Sequence, residues 1–315
     1  PIDTASGPTE IGNQAYHAMG EETKEGLTKI MDRWMKEKKI PDCLNTALLK
    51  LLPKSELGLS DLNKVRPITL MENIVKIFER IIIDRVTKAL MKNRILNMEQ
   101  YGGLPGAGVR DPLRIMAEII EDANASSQEL HLFVADLSKA YDSMEYWSQD
   151  MSWRCTGLPE EMIELLVSLD KGSEEGEGAT TKVGLAQGRT TEAFKHGRGV
   201  RQGSVGAPLK WCVFVHFWLE WVTSKMEGQG YTMSNAHTSP KINDARNFGT
   251  ERRDLGETAE VDGMMFVDDS LWPTRSAGAL EEVARMHETF CGFHKVFIHK
   301  TKSEYMAVNG KGVQV

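Results

Sequence analysis

The sequence predicts an α+β fold, a sheet backed by helices, and three observations carry that prediction. Apolar residues recur at helical spacing in several long stretches, and short apolar runs end in polar turns. The two kinds of segment alternate without the regular strand–helix–strand count of a parallel α/β sheet. The 315 residues, 41% hydrophobic and 26% charged, give ample chain for a real core and exclude disordered, collagenous and coiled-coil classes.

In chain order, Leu27, Ile30, Met31, Trp34 and Met35 mark a helix from Glu21 to Lys39, ended before Pro41. Thr46 to Leu52 is a short apolar run closed by Pro53, a strand. Asn73 to Leu90 sets Ile74, Ile77, Phe78, Ile81, Ile82, Val86, Ala89 and Leu90 on one stripe, with Lys76, Arg80, Arg85 and Lys88 on or beside the polar face. Gly102 to Gly108 is a loop, followed by a helix from Asp111 to Ile120. His131 to Ala135 is a strand with Asp136 at its end, and Glu160 to Leu169 is helical. Lys171 to Thr181 is a Gly-rich acidic turn, and two short strands flank the turn near Gly188. Pro208 opens a helix that is apolar nearly all round, which places it deep in a core. Gln229 to Asp262 is polar and irregular, and Met264 to Val267 is a strand ending in Asp268 and Asp269. A helix from Leu280 to Phe290 and strands at Val296–Ile298 and Glu304–Val308 follow.

No apolar run reaches the roughly 18 residues of a membrane span, and the N-terminal stretch has no signal-peptide pattern. Cys43, Cys155, Cys212 and Cys291 are far apart, which argues against a disulfide framework, a disulfide-linked partner or a structural zinc site. An intracellular protein is expected, with cytosol and nucleus not distinguished. The net charge of −7 argues weakly against nucleic acid, but it is unevenly spread. Residues 61–114 hold 10 Lys and Arg against 6 Asp and Glu, and residues 115–181 hold 3 against 15. A phosphate-binding surface therefore has to lie on one face.

The strongest chemical signal is a pair of carboxylate clusters at the ends of apolar strands, Leu132 to Asp142 and Met264 to Ser270. Ionised groups rarely follow a buried strand for packing reasons, because a lone buried carboxylate is costly. If the two strands are neighbours, Asp136, Asp268 and Asp269 converge and repel unless hard cations sit between them. Magnesium suits such oxygen ligands, and two such ions can serve phosphoryl transfer. Between the clusters lies Gly197 to Trp211, a Gly-rich loop running into the buried helix, where Arg201 and Gln202 offer donors.

Taken together, these elements resemble the fingers–palm core of a reverse transcriptase of the non-LTR retrotransposon or group II intron type. Motif A is matched by Phe133 to Asp142, motif B by Arg201-Gln202-Gly203 with Pro208, and motif C by Phe266-Val267-Asp268-Asp269. Weaker matches are Ala5 to Ile11, Leu52-Pro53-Lys54 with Val65-Arg66-Pro67-Ile68, Glu99 to Gly102, and Lys302-Ser303. The pattern departs from the family at Val205-Gly206-Ala207, where a Ser before Pro208 is usual, after Gln100, where an aromatic and a basic run are usual, and at His299, where Asn is usual.

The resemblance implies a right-hand polymerase of fingers and palm, with an antiparallel palm sheet backed by helices and no evident thumb. Residues 1–315 then form one reverse transcriptase domain: 1–130 mainly fingers, 131–142 palm, 143–196 a fingers–palm connection, and 197–315 palm. It implies an RNA-directed DNA polymerase, retroelement-derived, transferring nucleotides from dNTPs to a primer 3′-hydroxyl with two Mg2+ ions, or Mn2+ in their place. Its partners are an RNA template, a nucleic-acid primer and dNTPs, with a thumb or flanking domains expected from a longer chain. Asp136, Asp268, Asp269 and the backbone carbonyl of Leu137 are the implied metal ligands. Lys54 and Arg66 are implied to hold the triphosphate, Tyr141 to lie under the sugar and exclude a 2′-hydroxyl, and Gln202 and Gly203 to line the nucleotide. Lys302 is the implied proton donor to pyrophosphate. An RNA-directed RNA polymerase and a catalytically inactive palm-like scaffold that binds RNA or protein are the alternatives. Tyr141 speaks against the first and the intact carboxylates against the second.

Overall fold

The computed structural model describes residues 5–54, 64–97, 99–171, 179–233 and 259–310. Within them the helices are α1 (Asn13–His17), α2 (Glu21–Glu37), α3 (Asn73–Lys92), α4 (Arg110–Ser126), α5 (Ala140–Ser143), α6 (Tyr146–Cys155), α7 (Glu160–Lys171), α8 (Ala207–Lys225) and α9 (Ala277–His294). The strands are β1 (Thr46–Pro53), β2 (Val65–Leu70), β3 (Leu130–Ser138), β4 (Thr180–Val183), β5 (Phe194–Lys195), β6 (Tyr231–Met233), β7 (Ala259–Val261), β8 (Met264–Phe266), β9 (Asp269–Thr274), β10 (Phe297–Ile298) and β11 (Glu304–Val308). The chain divides into two compact units, one of residues 1–89 and 144–207 and the other of residues 90–143 and 208–315.

The first unit is built on a sheet in the order β2-β1-β4-β5. β1 pairs antiparallel with β2, Leu52 opposite Arg66, and parallel with β4, Leu49 opposite Val183. α3 buries Val75, Phe78, Ile82, Ile83 and Val86, so its inner face is turned from the expected stripe, of which Ile74 and Ile77 are half-buried and Ile81 is exposed; Phe78 meets Trp34 of α2 edge to face at 5.4 Å. Glu72, just ahead of α3, is buried and receives both the backbone N–H and the hydroxyl of Thr9, which ties down the N-terminal segment.

The second unit carries the antiparallel sheet that the sequence predicts. β3 lies in its interior, paired with β9 on one edge and with β10 and β11 on the other, and β8 pairs with β9. Helices back it. α8 buries Leu209, Trp211, Val213, Phe214, Val215, Trp218, Leu219 and Val222, as a helix apolar nearly all round should. Each such large side chain contributes roughly 1.5–3 kcal/mol. Trp218 meets Trp272 of β9 at 5.2 Å and His287 of α9 at 4.6 Å, both edge to face, and stacks on Phe290 at 5.3 Å.

Two local expectations are revised, and one strand not assigned from the sequence is added. Asp136 does not end its strand, because β3 continues to Ser138. The polar stretch after Gln229 contains the paired strands β6 and β7, Thr232 opposite Glu260. Val65 to Leu70 is a strand although it carries Pro67. The acidic turn at 172–178 and the polar stretch 234–258 lie outside the described residues. Among those described, no helix is long and apolar enough to cross a membrane, and no disulfide joins the four cysteines.

His287 sits fully buried between the rings of Phe133 and Trp218, and neither ring nitrogen has a hydrogen-bond partner. Burial pushes its pKa down to about 4, and does the same to that of His294. An unfolded histidine titrates near 6.5, so the unfolded chain takes up these protons first. Stability is therefore full above about pH 6.5 and is lost as pH falls towards 4. We expect the melting temperature to fall by on the order of 5–10 °C across that window. His287→Leu should flatten the profile, as read by circular dichroism.

Candidate active site

The antiparallel register of β3 and β9 sets Asp136 directly opposite Asp269. Residues paired in this way point to the same face of a sheet, with Cβ atoms about 5 Å apart. Asp268 precedes Asp269 in the turn from β8 to β9, and its carbonyl accepts the N–H of Leu137 at 3.3 Å. Three acidic residues from distant parts of the chain are thus gathered on one strand pair. The turn is sharp: Val267 has φ +60°, a left-handed backbone that a β-branched residue adopts at a cost of about 1–3 kcal/mol.

The electrostatics follow from the crowding. Asp136 is buried, Asp268 half-buried and Asp269 exposed. Burial raises the pKa of Asp268, and the charges of Asp269 and Asp136 raise it further. Asp269, although exposed by surface area, is raised first by partial desolvation among its neighbours and then by Asp136. The ammonium of Lys302 answers part of this charge. It lies 2.9 Å from Asp136 Oδ2, and that contact raises its own pKa. The turn carrying Lys302 is pinned to β3 by the His299 N–H, which donates to the Asp136 carbonyl at 2.8 Å. The Asp136 N–H points back at Ser303 Oγ, 3.4 Å away.

Tyr141 belongs to the same unit, half-buried on α5, with its ring 5.8 Å from that of Trp211. Burial above all, then Cys212 and Asp268, raises its pKa, so its hydroxyl stays neutral. The Leu137 side chain is buried and holds the strand in place. Asp136, Leu137, Tyr141, Asp268, Asp269 and Lys302 therefore all lie in the second unit.

Lys54, Arg66, Gln202 and Gly203 lie in the first unit. Lys54 and Arg66 are exposed at the loop end of the β1–β2 hairpin. The Gln202 carbonyl accepts the Thr69 N–H of β2 at 2.7 Å, so the Gly-rich loop is fastened to the strand that carries Arg66. Gly203 has φ +135°, and a Cβ there would stand 2.1 Å from the Thr69 carbonyl oxygen. Arg201 is not a free donor as the sequence suggests. It is buried, and its guanidinium donates to the carbonyls of Leu169 at 2.8 Å and Asn45 at 3.4 Å.

Sequence reasoning missed Glu79. Buried on α3, it accepts the Ser204 hydroxyl and, at 2.9 Å, the Val205 N–H, so it holds the far side of the loop. Its place on a polar-looking position of an amphipathic stripe gave no warning. The hydroxyl that seemed missing before Pro208 has a counterpart in Ser204, four residues earlier.

Among the described residues, no three His, Cys, Asp or Glu groups stand close enough to share one ion as they are. The chemistry of the donors nevertheless fits a hard divalent cation. All are carboxylates, two have raised pKa values from crowding and burial, and the one counter-charge in contact with Asp136 sits on the flexible arm of an exposed lysine.

A family model described as reverse transcriptase (RNA-dependent DNA polymerase) matches residues 52–313. The Retrovirus-related Pol polyprotein from type-1 retrotransposable element R2 of Nasonia vitripennis is 26% identical over 206 residues, 65% of this chain and 18% of that protein. The Probable RNA-directed DNA polymerase from transposon X-element of Drosophila melanogaster is 29% identical over 151 residues, 48% of this chain and 16% of that protein. The chain therefore spans less than a fifth of either relative. Among solved structures, apo telomerase from Candida tropicalis, truncated from its C-terminal domain, superposes with a TM-score of 0.57 at 13% identity, covering 89% of this chain and 55% of that one. Telomerase from Candida albicans in complex with a fragment of telomeric RNA gives 0.57 at 11% identity, covering 88% and 47%. At these identities the likeness is one of fold.

Gly203→Ala should destabilise the first unit by roughly 2–4 kcal/mol, because both its backbone angle and the Thr69 carbonyl oppose a side chain. Urea denaturation of the two proteins measures this.

Proposed function

This chain belongs to the reverse transcriptase family, and we propose from that premise that it is an RNA-directed DNA polymerase domain of the non-LTR retrotransposon type. The reaction is nucleotidyl transfer: a primer 3′-hydroxyl attacks the α-phosphate of a dNTP in line, the new P–O bond forms, and pyrophosphate leaves. The observation that carries the reading is the register of β3 and β9, which sets Asp136 opposite Asp269 with Asp268 adjoining.

In this reading Asp136, Asp268, the neighbouring Asp269 and the Leu137 carbonyl hold two Mg2+ ions. When bound, such ions lower the pKa of an attacking hydroxyl and offset the charge that develops on phosphate oxygens. The remaining work falls to the chain itself. Arg66 and Lys54 bind the triphosphate, whose transfer depends on fixed positive charge. Gln202 and Gly203 line the nucleotide, and the stiff loop around them keeps that lining in place. Tyr141, neutral and packed on Trp211, presents a ring that excludes a 2′-hydroxyl. Lys302, held beside Asp136, carries a proton that can pass to the departing pyrophosphate. RNA template and primer are the partners, and residues 1–315 act as one reverse transcriptase domain, with fingers within 1–130 and palm within 131–142 and 197–315.

Primer extension on an RNA template tests the proposal. Asp136→Ala and Asp268→Ala should each lower extension by on the order of 10³-fold or more while the melting curve stays close to that of the parent. Full extension by either variant would refute the assigned ligands. Tyr141→Ala should raise rNTP incorporation relative to dNTP, and wild-type preference for rNTPs would point to an RNA-directed RNA polymerase instead.

A further inference from the structure

The turn that presents Asp268 and Asp269 passes through a backbone conformation that its own residue disfavours. Val267 has φ +60°, and a branched side chain finds that region only when its surroundings impose it. Two buried side chains of the second unit meet this peptide. Gln100 is 1% exposed and uses both ends of its amide on one residue: Oε1 accepts the Val267 N–H at 3.0 Å, and Nε2 donates to the Val267 carbonyl at 3.3 Å. The indole N–H of Trp211, a fully buried ring, donates to that same carbonyl at 2.6 Å.

Gln100 is itself fixed. Its Oε1 also accepts the Gly102 N–H at 2.9 Å. The flanking backbone is laced to β8, with the Tyr101 N–H donating to the Met265 carbonyl at 2.7 Å and the Met265 N–H to the Glu99 carbonyl at 2.8 Å. Gly102 lets this segment come close, since a Cβ there would stand 2.5 Å from the Val267 nitrogen. The other face of the Trp211 contact is the ring of Tyr141.

We propose that Gln100 and Trp211 are positioning residues: together they hold the Val267 peptide in its left-handed state and so set where the Asp268 and Asp269 carboxylates stand for a divalent ion. The inference rests on the reading of those carboxylates as ion ligands. Neither side chain touches the ion or the nucleotide. Each satisfies a backbone group that would otherwise relax the turn towards an ordinary conformation, moving Asp268 and carrying Asp269 off the face it shares with Asp136. Trp211 also joins the turn to Tyr141, so the ion-binding and sugar-facing groups rest on one indole.

The test uses this chain with Mn2+ as the probe. Gln100→Met keeps length and packing but loses both hydrogen bonds to Val267 and the one to Gly102, and Trp211→Phe keeps an aromatic ring but loses the indole donor. Binding of Mn2+ is followed by electron paramagnetic resonance, which needs no turnover, and primer extension is measured against Mg2+ concentration. We expect Gln100→Met to weaken Mn2+ binding about tenfold and to raise the Mg2+ needed for half-maximal extension by a similar factor, with KM for primer–template unchanged. Trp211→Phe should move both in the same direction by a smaller factor. Adding Val267→Asn, a residue that tolerates the left-handed region, should restore most of the loss in Gln100→Met.

A folded Gln100→Met with wild-type Mn2+ affinity overturns the proposal, and so does a loss that Val267→Asn leaves untouched. If Gln100→Met unfolds, Trp211→Phe decides by the same two measurements. A wild-type chain that neither binds Mn2+ nor extends a primer refutes the parent reading and this one with it. A wild type that does both, beside variants that match it, refutes the positioning role alone.

Discussion

Two carboxylates facing each other across a single rung of a β-ladder are an unstable arrangement. At about 5 Å and an effective dielectric near 20, the repulsion is on the order of 3 kcal/mol before solvent screening. A protein that builds such a rung must supply positive charge to it. Here, among the described residues, the exposed Lys302 ammonium answers the Asp136–Asp269 rung, against three carboxylates. The shortfall leaves the rung repelling, and several contacts of the second unit keep it from relaxing. β3 is buried in the sheet interior, the 299–303 turn brackets Asp136 through its own backbone, and the Asp268 carbonyl is tied to Leu137.

The first unit shows the same economy with a different device. Its Gly-rich loop is fixed on one side by the Thr69 N–H and on the other by the Glu79 carboxylate, while Arg201 satisfies carbonyls from inside. The loop is therefore stiff, although its glycines suggest freedom. Gly203 is there because Thr69 leaves no room for a side chain.

Much of the fold was legible because its long elements carry strong periodic patterns. The all-round apolar α8 and the short runs of β3 and β8 each admit one burial pattern, whereas the inner face of α3 takes in Val75 and Ile83 and leaves Ile81 outside. Less was legible where tertiary pairing outweighs local preference. β3 extends past Ala135 because β9 pairs with Asp136 and β10 with Leu137 and Ser138. β2 accepts Pro67 because it is an edge strand, where a missing N–H costs no ladder bond. β6 and β7 are too short and polar to announce themselves. At the site, residue types and spacing pointed to Asp136, Asp268 and Asp269 as one group. The inward turn of Arg201, the reach of Glu79 and the grip of Gln100 on Val267 depend on contacts between residues far apart in sequence.

The placement of β3 has a consequence for how the chain acquires its structure. Ala135 bonds to Ser270, 135 residues away, and Asp136 to Ser303, 167 residues away. At ordinary synthesis rates of roughly 5–20 residues per second, the ribosome makes β3 many seconds before any strand that pairs with it exists. For that interval an apolar strand has two unpaired edges, which invites wrong partners and gives chaperones something to shield. The acidic centre thus waits on β9, and a nascent chain that stalls short of it carries its first carboxylate on an open edge.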